Sequence, residues 1–428
     1  MELTPALNAH LKQAQPRLAH IPGLYDLYRT CFASTCETTA KLLAGGEAFV
    51  FTGDIPAMWL RDSSAQVRHY LPFAKEDAKL QALLEGLIAR QASYICIDPY
   101  ANAFNEKPDN SRWDEDETFL TPWTWERKYE TDSLCYPVWL AYSYWKATGR
   151  AAIFTPKWHE AAQKIAVTLR TEQRHREQSP YRFIRPWAVE EHNARETLQN
   201  GGLGTPTGYT GMTWSGFRPS DDACAYHYLI PANCFAAVIL GELAEIAQSV
   251  WQDAALAEEA RQIRRGIVQG IEAYGTVHHP RYGRIYAYET DGLGHYRLMD
   301  DANVPSLLSL PYLGYLAPED PVYQNTRVWL LSEENPCYFQ GRAACGVGSE
   351  HTAKGFIWPI ALSMQGLTAS SRVEKERLIR LLLKTTAGCG RMHESFDADN
   401  PAQFTRPWFA WADSLCAELI YQTYLTER

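Results

Sequence analysis

Apolar side chains recur along this chain with the spacing of amphipathic α-helices. One segment fills positions i, i+3, i+4, i+7 and i+8 with Leu80, Leu83, Leu84, Leu87 and Ile88, the stripe that a helix buries against a core. Similar stripes lie at Leu256, Ala260, Ile263, Ile267 and Ile271, at Leu378, Ile379, Leu382 and Leu383, and at Leu415, Leu419 and Ile420. Weaker periodicity marks the segments 5–17, 24–43, 133–148, 155–172, 222–248, 304–316 and 356–369. The pattern predicts roughly a dozen helices.

Alternation of apolar and polar residues, which is typical of β-strands, is sparse. The best example runs over 284–289, meets the turn residues Asp291-Gly292 and resumes over 295–298, so we expect one β-hairpin there. The predicted fold class is therefore all-α, a toroid of paired helices with a minor β-hairpin.

The irregular segments of the chain do not resemble linkers. Segments 98–125, 180–221 and 331–356 are rich in Pro and Gly, but they also carry many Trp, acidic, Arg and His residues, which a flexible linker would lack. Long irregular loops in a compact protein tend to be functional. Although 428 residues would suit two or three average domains, we predict one domain over 1–428.

Composition excludes several kinds of partner and site. The formal charge is −9, without the basic face that nucleic acid or an anionic membrane requires. No apolar run approaches the roughly 20 residues of a membrane span. The N-terminal segment lacks the basic start and apolar run of a signal peptide, so a cytoplasmic location is expected. The ten cysteines form no C-x-x-C pair, so we expect no metal, redox site or cofactor; a monomer is the default.

Aromatic residues shift the expectation towards carbohydrate. The chain contains 14 Trp and 24 Tyr, and each of these rings carries a polar group that needs a partner when buried. A core can absorb many of them. A sugar-binding pocket also suits them, because the C–H face of a pyranose stacks on a ring while the polar edge joins a network of hydroxyl groups.

The first candidate cluster is T-G-D-I-P-A-M-W-L-R-D-S at 52–63. Arg61 and Asp62 suit charge-assisted hydrogen bonds to vicinal sugar hydroxyls. Trp59 suits the wall of a pocket, and Asp54 is a further acid. The structural alternative is equally favoured for any single residue: Asp62 as a helix N-cap and Asp54 as a turn residue.

The second candidate cluster is W-T-W-E-R-K-Y-E-T-D at 123–132. Trp125 and Glu126 have the character of a pocket edge. The alternative is a helix start at which Asp132 is the N-cap and the charged residues are solvated.

The third cluster, W-S-G-F-R-P-S-D-D, ends with two adjacent acids, Asp221 and Asp222, where the pattern predicts the start of a long helix. Aspartate is favoured at helix starts, so either residue could cap the helix. Since successive side chains diverge, one of them can cap the helix while the other faces a cavity. The residues alone leave open which one does so.

Three further loops carry polar candidates. R-M-H-E-S-F at 391–396 contains His393 and Glu394, without the second histidine of a zinc motif. G-V-G-S-E-H-T contains His351, and its G-x-G alone is weak support for phosphate binding. M-D-D-A-N-V-P contains Asn303 beside two acids. Glycoside hydrolysis needs two carboxyl groups flanking the scissile bond, and these loops supply several without selecting the pair.

Several of these segments together resemble glycoside hydrolase family 125, the bacterial and fungal exo-α-1,6-mannosidases. They are T-G-D-I-P-A-M-W-L-R-D-S, W-S-G-F-R-P-S-D-D, G-V-G-S-E-H-T, F-I-W-P-I-A-L-S-M-Q and R-M-H-E-S-F, in the same order, and the resemblance extends from about residue 20 to the C-terminus. It implies an (α/α)6 barrel, hydrolysis with inversion, no metal requirement and a mannose-containing oligosaccharide as the binding partner.

The same resemblance implies roles for two residues. Asp221 matches the general acid and Glu394 the general base, with the terminal mannose in a blind pocket lined by Trp59, Arg61 and Asp62 and also by His351. We expect the pKa of Asp221 to be raised by partial desolvation and nearby negative charge. A cytoplasmic enzyme would act on small imported oligosaccharides such as trimmed N-glycan fragments.

Two other functions fit the residues. One is another exo-glycosidase with a helical barrel, such as an α-glucosidase, which a panel of aryl α-glycosides would distinguish. The other is a non-catalytic glycan-binding protein, which complete inactivity would favour.

Overall fold

Twelve α-helices of nine or more residues make up most of the regular structure in the computed structural model, which describes residues 1–426. Their number agrees with the hydrophobic pattern. They are Pro5–Leu18, Leu24–Ser34, Leu60–Arg68, Ala78–Ile97, Thr131–Thr148, Pro156–Glu172, Ile230–Ile246, Ala254–Tyr274, Pro321–Leu330, Pro359–Leu367, Arg372–Lys384 and Ala410–Ile420.

The most regular stripes form helices of an outer layer. In Ala78–Ile97 the five predicted positions from Leu80 to Ile88 are all buried. The helix begins because Oδ1 of Asp77 accepts hydrogen bonds from the backbone N–H groups of Lys79 and Leu80, both at 3.0 Å, which satisfies two of the free donors of the first turn. This helix packs against Pro156–Glu172, which in turn contacts Ala254–Tyr274.

A second set of helices lies inside this layer. Leu60–Arg68 packs between Thr131–Thr148 and Ala410–Ile420, Thr131–Thr148 packs on Ile230–Ile246, and Pro359–Leu367 packs on Ala410–Ile420. Each is buried along nearly its whole circumference, as expected of helices enclosed by others.

Residues 304–316 close this inner ring, but they form turns and not the predicted helix. Tyr136 donates to the carbonyl of Val304, and Tyr312 donates to Glu418, so the segment contacts inner helices on two sides. Prolines 305 and 311 lack N–H donors, and Ser306 and Ser309 hydrogen-bond each other's backbone N–H groups. These local bonds compete with a helical pattern.

The helix over Ile230–Trp251 is long and apolar enough to span a membrane by length and composition alone. The expectation that no such run exists is therefore wrong. Of its most apolar window, 78% is buried inside the protein, against the helices Thr131–Thr148 and Ala254–Tyr274.

Short strands form six small antiparallel sheets in the described part of the chain. The predicted hairpin is correct only in its second half. Glu289–Thr290 pairs with Tyr296–Arg297 across the Asp291–Gly292 turn, whereas Gly283–Tyr286 pairs with Thr276–His279. The other strands are Ala40–Leu42, Ala48–Val50, Met58–Trp59, Ala103–Phe104, Thr124–Glu126, Tyr228–Leu229, Tyr338–Gln340, Cys345–Val347, Phe356–Ile357, Ser395–Asp397 and Phe404–Thr405.

Two predicted helices begin or end elsewhere. The segment 24–43 is helical only to Ser34, continues as a π-turn over Thr35–Thr39 and ends in a strand. The segment 222–248 becomes helical only at Ile230. Asp221 and Asp222 therefore lie in a loop, and neither caps a helix.

One hydrophobic cluster connects residues from Leu7 to Leu425. The prediction of one domain over 1–428 agrees with this shared core and stays a prediction from the sequence.

Candidate active site

A cavity of about 390 Å³ lies where the inner helices begin. Several inner helices present residues of their first turn or of the position just before it, and loops complete the wall. The lining residues are Thr52, Ile55, Trp59, Arg61, Asp62, Pro219, Ser220, Asp221, Asn303, His351, Trp358, Glu394, Arg406, Phe409 and Trp411. Seven of the twelve residues predicted for the site therefore line this cavity, and both candidate catalytic acids are among them.

The acid loop separates Asp221 from Asp222. The side chain of Asp221 is 29% exposed and lines the cavity. Asp222 is buried and accepts a hydrogen bond from Nδ1 of His351 at 3.0 Å, so it lies behind the wall. Backbone bonds between Arg218 and Asp222 and between Asp221 and Arg218 fix the loop. The geometry favours Asp221 over Asp222 as the residue that meets a ligand.

Arg61 is the centre of a buried cluster of carboxyl groups. Its Nε lies 3.3 Å from Oδ2 of Asp62, its Nη1 lies 2.5 Å from Oε2 of Glu130 and 3.5 Å from Oδ2 of Asp132, and its Nη2 lies 3.3 Å from Oδ1 of Asp221. The guanidinium of Arg61 therefore holds these four acids together, and its predicted role in binding sugar hydroxyls stays a prediction.

The electrostatics of Asp221 differ from the expectation. Burial acts to raise the pKa of its carboxyl group, but the charges of Arg61 and Lys128 outweigh it and lower that pKa to about 2. The expected rise in the pKa of Asp221 is therefore wrong. Nζ of Lys128 also donates to the backbone carbonyl of Asp221 at 2.8 Å. Burial instead raises the pKa of Asp62, which also lines the cavity, to about 6.

Glu394 enters the cavity from a strand-rich loop near the C-terminus. It is buried, and its Oε1 accepts a hydrogen bond from Nη1 of Arg406 at 3.2 Å. Arg406 is held in turn by Asp54, whose Oδ1 lies 2.6 Å from Nη2. Asp54 is not among the residues that line the cavity; it contacts the cation that contacts Glu394, and its predicted contact with the sugar stays a prediction.

His351 and Asn303 complete the polar lining. Burial acts to lower the pKa of His351, but the hydrogen bond and charge of Asp222, with Asp221 and Glu394 adding to them, raise it to about 9. The imidazole is therefore a cation at neutral pH. Asn303 is buried, and its backbone N–H donates to Oδ1 of Asp301 at 3.1 Å.

A wider vestibule of about 850 Å³ opens above this cavity. Glu126 lines it, as do exposed Trp113 and Trp187. Six residues line both spaces and so mark the boundary between them: Ile55, Trp59, Asp221, His351, Glu394 and Arg406. Both candidate catalytic acids lie at this boundary.

Two further predicted residues do not face either space. Trp125 packs behind the wall against the cluster formed by Ala57, Trp59 and Ala103. His393 stacks on Phe404 with ring centroids 3.8 Å apart and donates from Nε2 to the carbonyl of Thr386. Sequence proximity to Glu126 and Glu394 suggested both, but neighbouring side chains in an extended segment point to opposite sides.

The sequence analysis missed several wall residues. Trp358, Phe409 and Trp411 line the cavity, and Arg406 contacts Glu394. The signal for the aromatic residues was present: W-F-A-W at 408–411 comes directly before an inner helix. Nothing local identifies Arg406, since its role depends on acids more than 10 residues away in sequence.

Within residues 1–426 no group of three or more His, Cys, Asp or Glu residues is arranged to hold a metal ion. The four carboxyl groups that cluster in the site, those of Asp62, Glu130, Asp132 and Asp221, contact the guanidinium of Arg61 instead.

Comparison with known proteins agrees with this geometry. The family model described as "Metal-independent alpha-mannosidase (GH125)" matches residues 22–421. The Meiotically up-regulated gene 157 protein of Schizosaccharomyces pombe is 41% identical over 421 residues, covering 93% of this chain and 81% of that protein.

Solved structures give the same result. A Streptococcus pneumoniae metal-independent alpha-mannosidase, in a non-productive complex with alpha-1,6-mannobiose, is 44% identical, covers 99% of each chain and has a TM-score of 0.96. A glycosidase at 14% identity, covering 95% of this chain and 98% of its own, has a TM-score of 0.53 and shares the fold alone.

These similarities confirm the predicted all-α (α/α)6 barrel and glycoside hydrolase activity. Neither the α-glucosidase nor the non-catalytic alternative agrees with the family description. The chain belongs to the family of metal-independent α-mannosidases, glycoside hydrolase family 125.

Proposed function

We propose that the enzyme releases terminal α-1,6-linked mannose from the non-reducing end of oligosaccharides with inversion of configuration, using Asp221 as general acid and Glu394 as general base. One observation carries the proposal: both carboxyl groups lie at the boundary of the inner cavity and the vestibule. A terminal mannose in the cavity and a leaving group in the vestibule would place the scissile bond between them.

The linkage is supported by the Streptococcus pneumoniae relative, which was solved with alpha-1,6-mannobiose. The aromatic walls support a pyranose in the inner cavity, where Trp59, Trp358 and Phe409 offer faces for C–H groups. Asp62 and Asn303 supply buried polar groups for hydroxyls. The smaller cavity next to a wider vestibule favours cleavage at a chain end.

In the proposed reaction, Asp221 donates a proton to the glycosidic oxygen while the bond from that oxygen to the anomeric carbon breaks. Glu394 accepts a proton from a water molecule whose oxygen attacks the opposite face of the sugar. Arg406 contacts Oε1 of Glu394, which leaves Oε2 to orient the water. Inverting enzymes hold the two carboxyl groups roughly 6.5–9.5 Å apart to accommodate that water.

The substitution Asp221→Ala tests the acid. We expect hydrolysis of α-1,6-mannobiose to fall by about 10²–10⁴-fold, the usual contribution of general acid catalysis. Hydrolysis of an aryl α-mannoside with a good leaving group should fall far less, because that group needs no proton. Steady-state kinetics on both substrates measure the difference, and equal losses would contradict the assignment. Glu394→Gln is the matched variant for the base and should inactivate the enzyme towards both substrates.

The natural substrates we propose are trimmed N-glycan fragments that end in α-1,6-mannose. The relative of known structure is described in connection with the processing of N-linked glycans, and the vestibule offers about 850 Å³ next to the inner cavity. Mannose release from such fragments, compared with release from mannobiose, tests this assignment; the cytoplasmic location stays a prediction from the sequence.

A further inference from the structure

Glu130 is a fully buried carboxyl group beside the acid loop, and the mechanism above does not use it. Nη1 of Arg61 and the hydroxyl of Ser133 both donate to its Oε2, at 2.5 and 2.8 Å. Its other oxygen, Oε1, is buried, and no N–H or O–H donor within residues 1–426 reaches it. A buried carboxylate oxygen without a donor is costly, and a proton on the carboxyl group lowers that cost.

The carboxyl groups of Glu130 and Asp221 lie side by side. One guanidinium contacts both, through Nη1 to Glu130 and Nη2 to Asp221. Two neighbouring carboxylates of like charge disfavour each other's ionised form, so a proton on one of the two relieves their repulsion.

We propose that Glu130 holds this proton before substrate binds and passes it to Asp221 when a substrate covers that residue. Glu130 is then a positioning residue that loads the general acid. This inference rests on the proposed function and extends it, because it explains how an acid with a low pKa becomes a proton donor.

Charge and burial place the proton on Glu130. Burial raises the pKa of Glu130 well above its usual range, in spite of the opposing charge of Arg61. Asp221 is exposed to the cavity and faces both Arg61 and Lys128, so its own pKa is low. A mannoside that displaces water from Asp221 would raise the cost of its charge, and the proton would then shift from Glu130 to Asp221.

Other ionisable groups also face the pair. Arg61 and Asp62 face it from the helix Leu60–Arg68, Cys224 from the acid loop and His351 from the opposite loop. The segment that contains Glu130 adds Glu126, Lys128 and Asp132. Only Arg61, Lys128 and His351 carry positive charge, and all three favour the ionised form of Asp221.

The protons balance over one turnover. The O–H bond of Glu130 breaks as one forms on Asp221, and Asp221 then protonates the glycosidic oxygen, so that the leaving group departs as a neutral alcohol. Water gives its oxygen to the anomeric carbon and one proton to Glu394. After product release, Glu394 loses that proton to solvent and the pair takes one up. No oxidant, reductant or further reactant is needed.

Glu130→Gln tests the proposal, because glutamine keeps the size of the side chain but cannot release a proton. We expect kcat on α-1,6-mannobiose at neutral pH to fall by about 10²-fold or more. The alkaline limb of the kcat/KM profile should move to lower pH, since Asp221 then titrates alone. Turnover of an aryl α-mannoside with a good leaving group should stay within a few-fold of wild type, which also shows that the variant folds.

Asp132→Asn is the matched control. Asp132 contacts the same Nη1 of Arg61, at 3.5 Å against 2.5 Å for Glu130, and the substitution removes a carboxylate in the same way, but the proposal gives Asp132 no proton to pass to Asp221. We expect the alkaline limb of the kcat/KM profile of Asp132→Asn on mannobiose to stay close to that of wild type. A shift as large as that of Glu130→Gln would mean a general charge effect and would overturn the proposal.

Two other results would also overturn it: equal losses on both substrates in Glu130→Gln, or an unchanged alkaline limb with mannobiose. Failure of the proposed function is distinguishable, because it would appear in the wild type as an absence of mannose release from mannobiose.

Discussion

Asp221 adopts a backbone conformation that residues other than glycine seldom take. Its φ is 68°, and that of Arg406, across the cavity, is 38°. A left-handed backbone at such residues costs roughly 1–3 kcal/mol, and it persists where the surrounding structure holds it. Lys128 and Arg218 provide hydrogen bonds that hold Asp221. Backbone strain is therefore stored at residues that face the ligand.

His351 and Asp222 form an ion pair directly behind the acid loop. Because the pKa of His351 in the folded protein, about 9, is above the ordinary value of roughly 6.5, its protonation stabilises the fold. That stabilisation is fully present below about pH 6.5 and is lost as the pH rises through about 9.

Removal of the Asp222 carboxylate should reverse the rise in the pKa of His351. In Asp222→Asn we expect the pKa of His351 to fall by at least one unit, since its largest favourable partner has become neutral. Imidazole chemical shifts of the histidine-labelled protein, followed by NMR against pH, measure the change, and His351→Gln assigns the signal. A wild-type His351 that titrates near pH 6.5 would contradict the ion pair.

At the residue scale, sequence reasoning identified much of the cavity wall and failed where tertiary contacts decide. Trp59, Arg61 and Asp62 lie in one recognisable motif and all reach the cavity. Asp222 was indistinguishable from Asp221, because only the loop conformation sends the two side chains apart. Glu130 was treated as part of a charged helix start, since nothing in the sequence shows that Arg61 and Asp221 surround it.

At the scale of elements, the site depends on the segments that lead into the inner helices. Thr52 and Phe409 line the cavity from two such segments, which are joined by a β-bridge between Gly53 and Phe409. The φ of Gly53 is 144°, and a Cβ atom at this position would lie 2.6 Å from the carbonyl oxygen of Trp408. Only glycine allows this approach.

Gly53→Ala should therefore separate the two segments. We expect a loss of about 2–4 kcal/mol of stability, from backbone strain together with the steric clash, and a lower kcat/KM because Phe409 shifts. Gly45→Ala is the control: its φ is also positive, at 99°, but the added Cβ meets no atom within 4 Å. Thermal unfolding midpoints compare the two. If the unfolding midpoint of Gly53→Ala decreased by no more than that of Gly45→Ala, the close approach of the two segments would be shown to be unimportant.

The hydrophobic pattern predicted the outer helices better than the inner ones. Ala254–Tyr274 has one apolar face and a capping residue, Asp253, so both its type and its start follow from the sequence. Residues 304–310 are all buried, as are six of the eight residues over 222–229, and burial on every side removes the periodicity that distinguishes a helix from turns. The active-site loops lie next to these segments. Because the periodicity is lost there, the predicted helix boundaries were wrong.

At the scale of the whole molecule, the helical barrel encloses a narrow cavity and opens to a wider vestibule. The acids that we propose as catalytic lie where the two meet. An all-helical fold of this kind was foreseeable from the number and spacing of the helices. The position of the boundary between the cavity and the vestibule was not foreseeable, because it depends on loop residues as far apart in sequence as Trp59 and Arg406.

The central claim is that Asp221 and Glu394 cleave an α-1,6-mannoside from opposite faces of the sugar. Proton NMR of α-1,6-mannobiose hydrolysis tests substrate, linkage and stereochemistry in one reaction. We predict that β-mannose appears first and that α-mannose follows only by mutarotation. Initial release of α-mannose would contradict the inverting arrangement, and no release of mannose would contradict the substrate.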